Sequence, residues 1–395
     1  MSTLFLILLL LGDALLLAPD GSPLRVAGAL ILLLLPGLAW TDRLLPTTDR
    51  FTRWIIGAGL SYTLAMVLGL ILHYLPGPIP LWAELAVLNA LSLIPVLVTG
   101  RWSLQTQHWS LGAGRWSLAA ISLALVVILA ALFRFINLGY SEFQGDEALA
   151  LIAAAEALEG HQDALFLRGK GPGEVLLPMA LWRLTGTINE AVARLPFAIA
   201  GLLMVLTIYF LGRNLFSSVG KEERLGQKAG LIAAGLLALN GFMVGFSRIV
   251  QYQVLVVWMS GLALLCAWLW RNSKDPRTRH YWAGLTGTFL GAGLLAHYDA
   301  ILVIPAIAFV FLSDLPQISR GTSRQTKNLR PLISGILFAT GCLLLVAGLF
   351  YLPYALDPQA TRTGDYLGDR IGDGLLKNNL EGFLHFNVFY NSSYY

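Results

Sequence analysis

The sequence predicts an all-α polytopic membrane protein with about eleven transmembrane helices. Of its 395 residues, 56% are hydrophobic and only 13% are charged, whereas soluble domains carry roughly 25% charged residues. So few charges could not cover a soluble protein of this size without leaving large apolar patches exposed. Disordered chains are polar and charged. The composition therefore excludes both classes, and the chain has no basic stripe typical of nucleic-acid binding.

Long apolar runs define the predicted membrane spans, because a helix needs about 20 mostly apolar residues to cross the hydrocarbon. The first run has no basic residue ahead of it and no clear cleavage site, so we interpret it as a retained helix. A shorter apolar run at 174–186 contains Glu174 and Arg183, and we expect it to be interfacial or re-entrant. The eleven predicted spans are 3–18, 24–40, 54–75, 82–99, 116–136, 191–213, 228–246, 254–270, 281–296, 300–313 and 331–353.

The loops that hold most of the basic residues predict the orientation. With eleven crossings these loops fall on one side, which the positive-inside rule assigns to the cytoplasm. They are 41–53, 214–227, 271–280 and 314–330. The other face then carries segment 137–173, the turns 247–253 and 297–299, and the C-terminal tail. We therefore expect a multi-pass protein of the cytoplasmic membrane whose polar site is extracytoplasmic.

Three parts are expected along the chain. Residues 1–115 form an N-terminal module of four spans, and residues 116–355 form a transmembrane core with the outer loop 137–173. Residues 356–395 form a short tail on the outer face. Within the core, the spacing Gly287-x-x-x-Gly291 predicts a close approach of two helices, since small residues let backbones pack tightly.

Two adjacent carboxylates, Asp146 and Glu147, open an apolar helical stretch just after the fifth span. Its apolar residues share one side and its later glutamates the other, namely Leu149, Ile152, Ala153 and Ala155 against Glu156 and Glu159. This pattern predicts a helix lying along the membrane surface. A carboxylate there could act as a general base or hold a divalent cation. Asp146 could instead simply cap the helix.

A glycine-rich run with two cations, Arg168-Gly169-Lys170-Gly171-Pro172-Gly173-Glu174, directly precedes the short apolar run. Free backbone N–H groups at a helix start favour an anion, and Lys170 adds a point charge suited to phosphate. The alternative is a flexible loop whose lysine reaches the lipid headgroups.

Two further outer turns carry polar residues. Arg248, with Gln251 and Tyr252 close behind it, could bind phosphate or sugar hydroxyls, because a guanidinium matches oxyanion geometry. It could also be an interfacial anchor. His297 and Asp299 could ligate a metal or relay a proton, or could belong to an interfacial turn in which Asp299 caps the next helix. Because ionisable groups gather at one membrane face, we predict a functional site there.

The order of these motifs resembles the GT-C membrane glycosyltransferases of glycosyltransferase family 39. The pattern is a span, the Asp146-Glu147 loop, the Lys170 turn and then Ala193-Arg194-Leu195-Pro196 before a long span. The family includes protein O-mannosyltransferases, aminoarabinose transferases and Rgt-like sugar transferases, and the similarity covers roughly residues 130–355. It implies an enzyme that moves a hexosyl or pentosyl group from a polyprenyl-phosphate donor to a lipid, glycan or protein acceptor outside the cytoplasmic membrane. Its partners would be those substrates and membrane lipids, not nucleic acid.

The resemblance also implies roles for individual residues. Asp146 matches the outer-loop acid of the family and Glu147 its companion, so both are predicted to be catalytic. Lys170 stands in Lys-Gly-Pro-Gly where the family has Lys-Pro-Pro, and Gln251 and Gln253 stand where members often carry a later acid. The predicted substrate-binding residues are Lys170, Arg194, Arg248, Gln251, Tyr252, His297 and Asp299. A divalent cation is the cofactor considered, with Asp146 and His297 as candidate ligands.

Two other functions stay open from the residues alone. A transporter or lipid-carrier flippase would place charged or helix-breaking residues at mid-membrane, whereas the midplanes here are mostly apolar. A non-catalytic GT-C-like assembly subunit would be consistent with the glutamines at 251 and 253. Family members usually continue through further spans or an outer domain, so a chain that stops at Tyr395 is expected to be a fragment or a reduced member.

Overall fold

The chain is mainly helical in the part that the computed structural model describes, which is residues 2–46, 48–98, 118–143, 145–220, 223–313 and 329–368. These residues contain no β-strand, so the predicted all-α class is confirmed. The helices are α1 Ser2–Leu15, α2 Pro23–Leu44, α3 Arg50–His73, α4 Leu81–Leu97, α5 Leu118–Phe135, α6 Asp146–Glu159, α7 Gly173–Thr185, α8 Glu190–Gly220, α9 Glu223–Leu239, α10 Gly241–Phe246, α11 Gln253–Asn272, α12 Pro276–Ala296, a 3₁₀ helix Tyr298–Val303, α13 Ile304–Leu312, α14 Arg330–Ala355 and α15 Gln359–Gly368.

All eleven predicted runs are helical where they are described, which makes the protein a polytopic membrane protein. Among the described residues, six helices are long and apolar enough to cross a membrane, namely α2, α3, α5, α8, α11 and α14. The helix at Thr3–Leu15, α4 and the segment Tyr298–Leu312 are shorter apolar helices. The other two runs coincide with α9 and α12.

The predicted span 228–246 differs from the structure, because it consists of two helices. α9 begins earlier, at Glu223, and ends at Leu239. Asn240 then starts α10, since its side-chain oxygen accepts a hydrogen bond from the backbone N–H of Met243 at 2.9 Å. Asparagine is among the best residues at this capping position, so a single amide within an apolar run restarts the helix.

The short helix α7 lies inside the protein. At 13 residues and about 1.5 Å of rise per residue it is roughly 20 Å long, too short to cross the hydrocarbon. It packs against α2, α3, α6, α8 and α12, and both Leu176 and Leu181 are fully buried. These surroundings therefore favour the predicted re-entrant position of α7 over the interfacial one.

The helix α12 packs closely against α14 through the predicted glycine pair. A Cβ atom added at Gly287 would overlap the carbonyl oxygen of Ala339, and one at Gly291 would lie 2.8 Å from the Cβ of Val346. Only a residue without a side chain allows the two backbones to come this close. The close approach that the spacing predicted is confirmed.

The N-terminal helices are joined to the core. α3 packs against α7, α8 and α12, and the Tyr62 hydroxyl donates a hydrogen bond to the carbonyl of Pro196 at 2.8 Å. The predicted boundary at residue 115 falls in 99–117, and most of the tail 356–395 follows residue 368, so both lie outside the described residues. The division into three parts stays a prediction.

Candidate functional site

Four segments meet at one end of the helices. They are the start of α6, the loop before α7, the turn before α11 and the turn after α12. Gln251 donates a hydrogen bond to Asp146, Lys170 lies over the ring of Tyr252, and Tyr252 stacks on His297. The four outer turns that were predicted to share one face therefore contact each other directly.

Asp146 presents its carboxylate at the surface of this cluster. It is the first residue of α6, and the capping position before it is Gly145, whose φ of 50° favours glycine. The Asp146 side chain does not cap the helix. Its Oδ1 lies 3.4 Å from the Arg168 guanidinium, its Oδ2 lies 3.3 Å from the Gln251 amide nitrogen, and the side chain is 56% exposed. The carboxylate is thus both oriented and accessible.

The surroundings of Asp146 keep it ionised. Partial burial taken alone would raise the pKa of this carboxyl. The hydrogen bond from Gln251 and the charges of Lys170 and Arg168 together outweigh burial and hold the pKa below its ordinary value. At physiological pH the group is therefore a carboxylate, which is the form that can accept a proton.

Glu174 organises the two cations of the glycine-rich run. Its Oε1 lies 2.7 Å from Nη2 of Arg168 and 3.0 Å from Nζ of Lys170. Glu174 is fully buried, and its Oε2 has no hydrogen-bond partner among the described residues. Sequence reasoning placed no function on Arg168 or Glu174. The signal available in the sequence was an acidic residue inside an apolar run. Placing such a residue in a membrane segment costs free energy, so it usually has a function.

Two glycines of this run lie directly against the end of α12. A Cβ atom at Gly171 would overlap the carbonyl oxygen of Leu295, and one at Gly173 would lie 2.9 Å from the Cα of Ala296. Gly169 has a φ of +62°, and its carbonyl accepts a hydrogen bond from Thr363 at 2.7 Å. The run therefore fixes Lys170 against the end of α12.

Tyr252 and His297 form a stacked aromatic pair beside Lys170. Their ring centroids are 3.8 Å apart with an interplanar angle of 10°, and Lys170 Nζ lies 4.4 Å from the centre of the tyrosine ring. Burial, and then the charge of Lys170, lower the pKa of His297 to about 3. The imidazole is therefore neutral at physiological pH. Its Nδ1 lies 3.1 Å from the backbone nitrogen of Asp299, and the Asp299 carboxylate is close by and half exposed.

Glu147 and Arg194 are paired inside the protein. Arg194 Nε and Nη2 lie 2.7 and 2.8 Å from the two carboxylate oxygens of Glu147, and Glu147 Oε1 also accepts the backbone N–H of Val250 at 2.9 Å. The remaining N–H groups of Arg194 donate to three backbone carbonyls, those of Leu138, Ser141 and Glu142. Because these donors have acceptors within the protein, we expect both residues to hold the loop before α6 on α8. The catalytic role of Glu147 and the substrate-binding role of Arg194 stay predictions.

The guanidinium group of Arg248 donates its hydrogen bonds to backbone carbonyl groups. Its Nη1 donates to the carbonyls of Phe133 and Ile136 at 2.8 and 2.9 Å, near the end of α5, where the last carbonyls of a helix lack intrahelical donors. Arg134, which sequence reasoning did not single out, serves α9 in the same way through the carbonyls of Leu237 and Ala238. We therefore expect Arg248 to tie helix ends together, and its predicted contact with phosphate gains no support from this geometry.

The described residues hold no group of three or more His, Cys, Asp or Glu side chains arranged to bind a metal ion. Asp146 and His297 as metal ligands stay a prediction, as does the divalent cation. Gln144, next to the Asp146 turn, lies outside the described residues.

The fold and the cluster define an integral membrane protein with a polar site at one end of its helices. Residues 172–340 match the family model described as dolichyl-phosphate-mannose-protein mannosyltransferase. This match over part of the chain confirms the predicted resemblance to the GT-C membrane glycosyltransferases. The matched range includes Glu174, Tyr252 and His297, and Asp146 and Lys170 precede it. No curated protein and no solved structure gives a significant match.

Proposed function

We propose that this glycosyltransferase moves a sugar from a polyprenyl-phosphate donor to a lipid, glycan or protein acceptor on the outer face of the cytoplasmic membrane. The observation that carries the proposal is the accessible, ionised carboxylate of Asp146 beside Arg168 and Lys170. The family match supports a lipid-phosphate sugar donor in general. The basic loops predicted at the opposite ends of the helices support the outer location.

Asp146 is the proposed general base. When a hydroxyl or amine of the acceptor attacks the anomeric carbon of the sugar, it must lose its proton, and a positioned carboxylate can take that proton. Arg168 and Gln251 each hold one oxygen of Asp146. These contacts restrict its orientation, and the exposed half of the side chain leaves room for an acceptor.

Lys170 and Arg168 are the proposed partners of the donor phosphate. As the bond between the sugar and the phosphate oxygen breaks, the phosphate keeps the electron pair and its negative charge grows. Cations fixed in advance stabilise such developing charge. Both cations are anchored on one oxygen of Glu174, so they are in place before the donor binds. Arg168 thus takes the second phosphate contact that the sequence assigned to Arg248.

Tyr252 and His297 are proposed to position Lys170. The tyrosine ring lies 4.4 Å from the lysine ammonium, a distance at which a cation and an aromatic face attract each other. His297 stacks on the same tyrosine ring, and because it is neutral at physiological pH it adds no charge to the site.

The test is a donor-cleavage assay on the purified full chain with a panel of polyprenyl-phosphate sugars. Asp146→Asn should lower turnover by roughly 10²-fold or more with an unchanged melting temperature, because Asp146 is half exposed and does not cap α6. Glu159→Gln at the other end of α6 is the matched control, and it should keep parental turnover.

A well-folded Asp146→Asn enzyme with full activity would remove Asp146 as the base. If the parental chain cleaves none of the donors but carries one of them across a vesicle membrane, the flippase alternative would replace the proposed transferase.

A further inference from the structure

A cavity lies between the start of α12 and the start of α14. Its volume is about 270 Å³, and Lys274, Arg279, His280 and Arg330 line it together with Trp270. α12 has 21 residues and rises about 1.5 Å per residue, so this cavity is roughly 30 Å from His297 at the other end of the helix. It is therefore separate from the candidate glycosyltransferase site.

The described side chains that line the cavity carry charge of one sign. Of the described residues that line it, three are Lys or Arg and none is acidic. The nearby Asp275 carboxylate caps α12, since its Oδ2 accepts the backbone N–H of Thr278 at 2.8 Å. Two helices also begin here, and helix N-termini carry partial positive charge. The cavity is thus suited to an anion.

The wall of the cavity is aromatic and its surroundings are apolar. Trp270 is buried, and the Arg279 guanidinium lies 4.4 Å above its ring. From the cavity, α14 continues with an exposed apolar face that includes Ile333 and Leu337, the latter 66% exposed. A small soluble anion would make no use of such a face, whereas acyl chains would cover it.

We propose that this cavity binds the phosphate headgroup of an anionic membrane phospholipid, whose acyl chains lie along the exposed face of α14. Basic pockets between membrane helices are suited to such headgroups, because cations near the membrane surface attract anionic lipids. The predicted orientation puts this end of α12 at the cytoplasmic surface, where juxtamembrane basic residues meet anionic lipids. The ligand class is thus a glycerophospholipid with a net negative headgroup.

The first experiment compares lipid binding by native mass spectrometry of the full chain in detergent. Short-chain phosphatidylglycerol should bind about 10-fold more tightly than phosphatidylcholine of the same chain length. The double variant Lys274→Gln/Arg330→Gln should remove this preference. Both residues are exposed, so its melting temperature should not change. Arg277→Gln, which alters an exposed arginine of the same loop that does not line the cavity, should keep the preference.

The second experiment tests the cavity itself. Ser334→Leu places a larger apolar side chain in it without changing any charge, and it should weaken phosphatidylglycerol binding. Unchanged binding in this variant, or an equal loss in Arg277→Gln, would mean that diffuse loop charge attracts the lipid and would overturn the proposal. Glycerol phosphate at the same concentration should not compete. Equal competition would assign the cavity to free phosphates in place of a lipid.

Discussion

Asp146 and Glu147 are neighbours in the chain, but a helix turns by about 100° per residue, so the two carboxylates point to different surroundings. Asp146 faces the cluster of turns and is half exposed. Glu147 faces α8 and is 4% exposed. At the scale of the residue, the same chemical group is thus proposed to serve as a base in one position and as an internal anchor in the next.

Removing the anchor should destabilise the protein. Glu147→Gln leaves the Arg194 charge buried without its counter-ion, which typically costs about 3–5 kcal/mol. We expect a loss of that size in the free energy of unfolding, measured by denaturant titration in detergent. The double variant Glu147→Leu/Arg194→Met should lose less than the sum of the two single changes, because no charge is then left unpaired.

The exposed Glu159→Gln serves as the control here also, and it should change the free energy of unfolding by less than about 0.5 kcal/mol. A Glu147→Gln protein as stable as the parent but without turnover would instead return Glu147 to the catalytic role predicted from the sequence.

The pH dependence of the enzyme should reveal the hydrogen bond between Gln251 and Asp146. This bond lowers the pKa of Asp146, so Gln251→Leu should raise that pKa. The acid limb of kcat/KM, which reports the free enzyme, should then move to higher pH. Gln253→Leu, which removes an amide that does not contact Asp146, should leave the limb in place. An unmoved limb in the Gln251 variant would separate Asp146 from the proton transfer.

At the scale of the element, the contact between α12 and α14 depends on the absence of side chains. Gly287→Ala should destabilise the protein by about 1–3 kcal/mol, the usual cost of forcing an extra methyl into a packed interface. Gly341→Ala in α14 is the matched control, because a Cβ there meets no atom within 4 Å and alanine is the better helix former. Thermal unfolding of both variants in the same detergent would measure the difference. Equal melting temperatures would contradict the close packing.

The helices were predictable from the sequence because apolar runs of sufficient length have few other structures available in a membrane. The roles of the arginines were not. Arg194 pairs with a residue 47 positions away, and Arg248 donates to a carbonyl 115 positions away. Near the ends of the helices, any arginine could face a phosphate, a carboxylate or a helix end. Only the packing of α5, α8 and α9 decides between these partners.

Asp146, Lys170, Gln251, Tyr252 and His297 were predictable as a group for a different reason. The parity of the spans puts their loops on one face, whatever the details of packing. In the structure Arg248 contacts the end of α5, and Arg168 contacts Asp146. These contacts depend on side-chain distances of a few ångströms, which cannot be predicted from the periodicity of the sequence.

At the scale of the whole molecule, the orientation in the membrane can be tested with single cysteines. The native cysteines are the buried Cys266 and the partly buried Cys342, so a Cys342→Ser background leaves no accessible thiol. Glu159→Cys should react with an impermeant thiol reagent in intact cells, and Arg277→Cys should react only after the cells are opened. Gly160 is unsuited to this test, because its φ is +93° and a Cβ there would lie 2.7 Å from the backbone of Gly77.

Labelling of Arg277→Cys from outside would reverse the orientation. The Asp146 site would then face the cytoplasm, and the proposed outer location of the reaction would be lost.

The enclosure of α7 has a consequence for how the chain is made. The ribosome delivers α7 after α2 and α3 but before α8 to α12, and a helix of this length cannot be retained in the bilayer alone. Of the helices that pack against α7, α2, α3 and α6 precede it in the chain, so these are the ones available to it first. α12 is the last of these packing partners to be synthesised. The cluster around Glu174 and Lys170 is therefore complete only after α12 has been synthesised.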